Sequence, residues 1–269
     1  MAAGIKLNWT MFFFVSLAAP LPGPPSRPHV RRRFSPATGV DLSVFSRHLS
    51  KMPNADAYPK IILHAIAPYD RSAMARWLLA ELGVPCIDRW VDPKTNEFAS
   101  PGFLLLNPMG RVPVAEIDGA VMFESGAICA TLADRFSLGS LAPALESPHR
   151  PEYEKWMYFA AATVDQIQPR MMVLEDFPAS ETKTEKLDAL FEDLGDICTT
   201  LDRTLTNSGY LVANQFSAAD ICVSYHLEWF KLWPELAAIT QAWPRVGAYA
   251  ERLKARPSAI SAKVFTYRA

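Results

Sequence analysis

The segment from Arg111 to Phe123 restricts the fold more than any other. There the runs Arg111-Val-Pro-Val-Ala-Glu-Ile117 and Ala120-Val-Met-Phe123 are separated only by Asp118-Gly119. A two-residue Asp-Gly loop favours the type I′ turn, whose twist matches that of paired strands, so the segment predicts a β-hairpin. Upstream, Lys60-Ile-Ile-Leu-His-Ala-Ile66 is an apolar run of strand length closed by Pro68. Between Arg71 and Leu82, residues Met74, Trp77, Leu78, Leu79 and Leu82 recur at helical spacing, and Gly83 with Pro85 stops the helix. Cys86 to Val91 reads as a second short strand. A strand, a helix and a strand in so short a stretch imply a right-handed parallel crossover, so a sheet that also holds the hairpin must be mixed. A weak helix is expected over 97–106. Glu124-Ser125-Gly126 then opens a helix carrying Ile128, Leu132 and Phe136 on one face, with Ser125 as its N-cap. This order of elements is the thioredoxin-like arrangement.

The remainder reads as all-helical. Glu152 to Leu174 is a long helical stretch in which Trp156, Phe159, Ala160, Thr163, Val164 and Ile167 recur, and Pro169 is expected to bend or end it. Lys183 to Leu205 is amphipathic, with Leu187, Leu190, Phe191, Leu194, Ile197, Cys198 and Leu201 on the buried stripe. Ser217-Ala-Ala-Asp220 has the form of a capping box at the start of a core helix. Trp156, Tyr158 and Phe159 suit either the core or a pocket wall, and core is the commoner role of a helical aromatic stripe. His149 and His226 stand alone and read as surface or core histidines.

With 269 residues there is room for two domains, each large enough for its own core. A net charge of −1 implies no basic nucleic-acid-coating surface, although the first 50 residues are basic and the rest mildly acidic. Cys86, Cys129, Cys198 and Cys222 include no CxxC pair and no Cys and His at metal-ligand spacing, so no metal is expected. They read as buried small apolar residues in a reducing compartment, which gives a cytoplasmic expectation.

Residues 1–57 are read apart from the fold. A basic start, an apolar run from Trp9 to Ala19 too short to span a bilayer, and small residues at Ala18 and Ala19 resemble a secretory signal peptide. The run Arg31-Arg32-Arg33, with no acid before Asp41, suits an organellar transit segment. The reading placed first is an upstream extension of the frame with Met52 as the working start. Pro20, Pro22, Pro24, Pro25 and Pro28 forbid regular structure there. The expected organisation is an irregular segment over 1–57, a thioredoxin-like domain over 58–139 and an all-helical domain over 145–262.

Asn107-Pro-Met-Gly-Arg-Val-Pro113, the hairpin, Phe123-Glu-Ser125 and Tyr210-Leu-Val-Ala-Asn-Gln-Phe-Ser-Ala-Ala-Asp-Ile221 stand in one order. Together they resemble the glutathione S-transferase family, cytosolic in type and bacterial-like, over roughly residues 60 to 262. The resemblance implies a cis Val112–Pro113 bond and a Val112 backbone that pairs with the cysteinyl unit of glutathione. It implies that Ser125 and the helix amides hold the γ-glutamyl carboxylate, with Glu124 on the neighbouring ammonium. Arg111 suits a second carboxylate or a solvated surface position.

The same resemblance implies an enzyme that passes the glutathione thiolate to a small electrophile, in detoxification, as a homodimer without an integral membrane segment. Glutathione is then the cosubstrate. The alternative is a noncatalytic binding module of the same family. Family members activate the thiol with a hydroxyl, or replace it by a cysteine, just after the first strand. Here the local sequence is Ala67-Pro-Tyr-Asp-Arg-Ser72. Tyr69 is the first candidate, Ser72 the second and Arg71 a charge partner for the thiolate. The competing reading makes Tyr69 a turn residue and Ser72 or Asp70 a helix cap. The absence of cysteine between Ile61 and Leu82 argues against the thiol-exchange branch.

Overall fold

The computed structural model describes residues 59–266. The readings made for the segment before residue 58, including its targeting signals and Met52, lie outside the described residues.

Four strands form one mixed sheet: β1 (Ile61–Ala65), β2 (Ile87–Trp90), β3 (Val114–Ile117) and β4 (Ala120–Phe123). Their order is β2-β1-β3-β4, with β1 parallel to β2 and antiparallel to β3, and β3 antiparallel to β4. The crossover between β1 and β2 is α1 (Ser72–Leu82), closed by Gly83 in the left-handed region at φ 65°. Asp118 at φ 52° and Gly119 at φ 85° make the hairpin turn in the conformation that the Asp-Gly pair favours. The stretch expected as a weak helix divides into a 3₁₀ turn, Glu97–Ala99, and α2 (Pro101–Leu106), for which the Ser100 hydroxyl accepts from the Phe103 amide at 3.2 Å.

The period-2 alternation sorts the sheet into two faces. Ile61, Leu63, Ala115 and Ile117 join Trp77 and Leu78 of α1 and Ile128 and Leu132 of α3 (Ser125–Phe136) in the main core. On the other face Val91, Phe103 and Val114 form a smaller cluster beneath α2.

The helical part comprises α4 (Arg150–Phe159), a π-helical turn (Ala160–Val164), α5 (Ile167–Glu175), α6 (Glu181–Leu205), α7 (Ala218–Phe230), α8 (Pro234–Gln241), α9 (Pro244–Lys254) and α10 (Pro257–Ser261). The break falls at Asp165–Gln166, between the π turn and α5 and upstream of Pro169. A proline ring clashes with the carbonyl four residues before it, which is that of Asp165, so the regular ladder has to stop there and restart. Pro169 itself sits in the first turn of α5, where its missing N–H would have had no intrahelical acceptor.

Every residue of α7 is buried. Its start is fixed by Asp220, whose carboxylate accepts from Ser217 N at 2.8 Å, Ser217 Oγ at 2.9 Å, Leu211 N at 3.0 Å and Tyr249 Oη at 2.9 Å. The last helix among the described residues, α10, returns to the sheet half. Trp77 Nε1 donates to Ser258 Oγ at 3.1 Å, and Arg256 pairs with Glu81. All four cysteines are free thiols, and Cys129, Cys198 and Cys222 are buried.

Candidate glutathione site

The strand register brings three backbone segments to one end of the sheet. His64 lies opposite Val114, and Val114 opposite Phe123. The chain leaving β1 at Ile66, entering β3 through Val112–Pro113 and leaving β4 at Glu124 therefore meets there. Val112–Pro113 is cis. Among the described residues neither the N–H nor the C=O of Val112 has a hydrogen-bond partner. The preceding loop is held by Asn107, a buried residue with no role assigned from sequence. Its Nδ2 donates to Arg111 O at 2.8 Å, and its Oδ1 accepts from Met109 N at 3.0 Å. Gly110 is required in that loop, since it has φ 60° and a Cβ there would stand 3.0 Å from Phe98 O.

At α3 the structure corrects the expected cap. Glu124 is the N-cap and Ser125 the first helical residue, because the turn out of β4 is made at Glu124, which has φ 71° and ψ 108°. A non-glycine residue held there is strained by about 1–3 kcal/mol and persists only where the surroundings dictate it. The first intrahelical bond runs from Ile128 N to Glu124 O at 2.9 Å, leaving the amides of Ser125, Gly126 and Ala127 aimed out of the helix. The Ser125 hydroxyl has no hydrogen-bond partner among the described residues. Glu124 is exposed and Ser125 half-buried at this helix start.

The turn after β1 is tied on every side. The Asp70 carboxylate accepts from Ile66 N at 2.6 Å, Ala67 N at 3.1 Å and Ser72 N at 2.7 Å, so Asp70 takes the cap-like role. Tyr225 Oη donates to Tyr69 O at 3.0 Å, and the Tyr69 ring packs against Trp229 with centroids 6.3 Å apart. Ser72 is fully buried, its hydroxyl accepting from Arg76 Nη2 at 3.0 Å. Arg76 in turn donates to both Asp88 oxygens and to Pro68 O at 2.8 Å. Ser72 thus belongs to a part-buried ion-pair network that ties α1 to β2.

Arg71 points the other way, to the helical half. Its Nε lies 3.0 and 3.1 Å from the two Asp165 oxygens and its Nη2 lies 2.6 Å from Oδ1. Behind Asp165, the buried His226 brings Nδ1 to 3.5 Å without forming a hydrogen bond. Burial pushes His226 down to about 4, against the attraction of Asp165. Burial raises the Asp165 carboxyl, while His226, when it carries a proton, and the permanently charged Arg71 hold it below its usual range. The π turn also reaches α3, where a Cβ on Gly126 would meet Ala161 Cβ at 3.3 Å. Asp165 was legible only as an isolated acid in an apolar helical stretch four residues before a proline.

Among the described residues no group of three or more His, Cys, Asp or Glu side chains is arranged to hold a metal, and no helix is long and apolar enough to cross a membrane.

Residues 71–135 match the family model described as glutathione S-transferase, N-terminal domain, and residues 180–252 match that described as glutathione S-transferase, C-terminal domain. Protein LigF of Sphingobium sp. is 30% identical over 192 residues, which are 60% of this chain and 75% of that protein. Its crystal structure, described as that of a beta-etherase, superposes with TM-score 0.64 at 24% identity over 76% of this chain and 98% of that one. Elongation factor 1-gamma 3 of Oryza sativa subsp. japonica is 30% identical over 164 residues, 56% of this chain but 36% of the factor. A glutathione transferase from Burkholderia graminis, crystallised with two glutathione molecules per subunit, superposes with TM-score 0.68 at 26% identity, over 85% of this chain and 97% of that one. With a thioredoxin-like sheet half, a helical half and these matches across both, the chain belongs to the glutathione S-transferase family.

Proposed function

We propose that the protein binds glutathione in this cleft and transfers its thiolate to a small electrophile. The observation that carries the reading is the convergence of three unsatisfied groups: the Val112 peptide, the first amides of α3 and the Ser125 hydroxyl. A peptide can pair with Val112 as an added strand. A carboxylate suits the α3 start, where orphan N–H groups and the helix dipole favour negative charge. Glu124 beside it suits the ammonium of a γ-glutamyl group, and Arg111 suits the far carboxylate. The reacting species is the thiolate, and Tyr69 is the candidate hydroxyl, with Arg71 near it. We further read the protein as a cytoplasmic homodimer, supported by four free thiols and by the exposed apolar side chains Leu105, Val121 and Phe123 on α2 and the edge strand β4.

A second reading, a noncatalytic glutathione-binding module, is favoured by one observation. Ser72, the alternative activating hydroxyl, is buried and engaged by Arg76. Calorimetry with glutathione, run beside conjugation assays on aryl halides, Michael acceptors, aryl ethers and peroxides, decides between them. Binding with turnover supports the transferase, binding without turnover on any class supports the module, and no binding removes both.

A further inference from the structure

The Arg71–Asp165 pair bridges the two halves at the very turn that carries Tyr69, which is more than packing requires. Arg71 is the N-cap residue of α1 and has no capping bond of its own; its guanidinium is spent on the carboxylate of Asp165, the residue that ends the π turn. Arg71 keeps 29% of its side-chain surface and Asp165 keeps 19%, so the pair is neither sealed in the core nor fully solvated. Other charged or titratable groups flank it. Asp70, in the same turn, is saturated by three amides. Tyr225 and His226 face the pair from α7, and the strand register brings Arg111, before β3, and Glu124, after β4, to the same end of the sheet as the turn after β1.

We propose that Asp165 is a positioning residue that neutralises Arg71 and thereby sets the ionisation of a thiol bound beside Tyr69. This rests on the glutathione-binding reading. With Asp165 in place the start of α1 presents a neutral ion pair, and the thiol sees mainly the Tyr69 hydroxyl and helix-end amides. Without the carboxylate charge the same guanidinium becomes a net cation two residues from Tyr69 and favours the thiolate. Without the guanidinium, the carboxylate is a net anion and disfavours it. At the distances of neighbouring side chains, with solvent partly present, either change amounts to about one pH unit, a tenfold change in the ionisation constant.

The test is a pH titration of the ultraviolet absorbance of bound glutathione thiolate in the full chain. Asp165→Asn is expected to lower the midpoint by about one unit, Arg71→Gln to raise it by a similar amount, and the double variant to return it close to the wild-type value. Asp165→Glu, which keeps the charge, is expected to hold the wild-type midpoint. A merely structural pair moves both single variants in the same direction, or neither, and that result overturns the proposal. Should Asp165→Asn not fold, Arg71→Gln against Arg71→Lys carries the same test, and an unmoved midpoint for Arg71→Gln overturns it. Calorimetry on the wild-type chain separates the two readings: without glutathione binding, the site assignment fails first and this proposal with it. With binding and no opposed shifts, only the proposal fails.

Discussion

Ser125 and Ser72 are both hydroxyls at the first position of a helix, yet they differ in what surrounds them. Ser125 bonds nothing within the described chain, so Ser125→Ala should leave the melting temperature unchanged. It should weaken glutathione binding by about 1.5–3 kcal/mol, the value of a hydrogen bond to a charged group. An unchanged affinity in calorimetry removes Ser125 from the site. Ser72→Ala takes away an acceptor from the buried Arg76 guanidinium and should cost about 1–3 kcal/mol in chemical denaturation, with glutathione affinity kept. A stability equal to wild type would show that hydroxyl to be dispensable. Ser125 was legible because a helix start following a hairpin can be counted along the chain. The burial of Ser72 was not, since it depends on Arg76 folding back from the next turn to meet Asp88 on β2.

Local chemistry carried most of the secondary structure. Asp118-Gly119 dictates its turn, Ser180 caps α6 by accepting from Lys183 N at 3.2 Å, and Ser217 with Asp220 opens α7. The interruption of the 152–174 stretch was foreseeable from Pro169 but lies at Asp165–Gln166, just after the π turn, because the ring acts on the carbonyl four residues earlier. The positive φ of Glu124 had no sequence signal at all, since only the joining of β4 to α3 demands it. At this scale Asp220 bears the largest single load. Asp220→Ala strands three donors besides the Ser217 hydroxyl in a fully buried site, and should destabilise the chain by about 3–5 kcal/mol. A loss under 1 kcal/mol in equilibrium unfolding would mean that the surrounding groups find other partners.

For the whole molecule, acid is the informative perturbation. His226 is held neutral by burial down to about 4 against an ordinary 6.5, whereas in the unfolded chain it takes up its proton near that ordinary value. The unfolded state thus binds more protons between those limits. The stability that neutral His226 preserves is fully present above about 6.5 and is lost as pH falls through the window, by about 3 kcal/mol in total. Asp220 opposes this, because burial pushes it up to about 6 from 3.8 and the folded state then gains protons first. The difference between wild type and His226→Gln isolates the histidine. The variant should lose less stability than wild type between pH 6.5 and 4, and parallel melting curves would contradict the assignment.

Tyr225 bonding to Tyr69, and Arg71 to Asp165, have a bearing on how such proteins diversify. The turn that carries Tyr69 is shaped in part by residues encoded 94 and 156 positions downstream. Recombination that exchanges one half of the gene for a relative's would keep both cores intact and still deliver a misaligned turn. Descent in this lineage should therefore favour paired substitutions at 71 and 165 over shuffling of whole halves. A chimera carrying a foreign helical half should regain stability in thermal unfolding when those two positions are matched again.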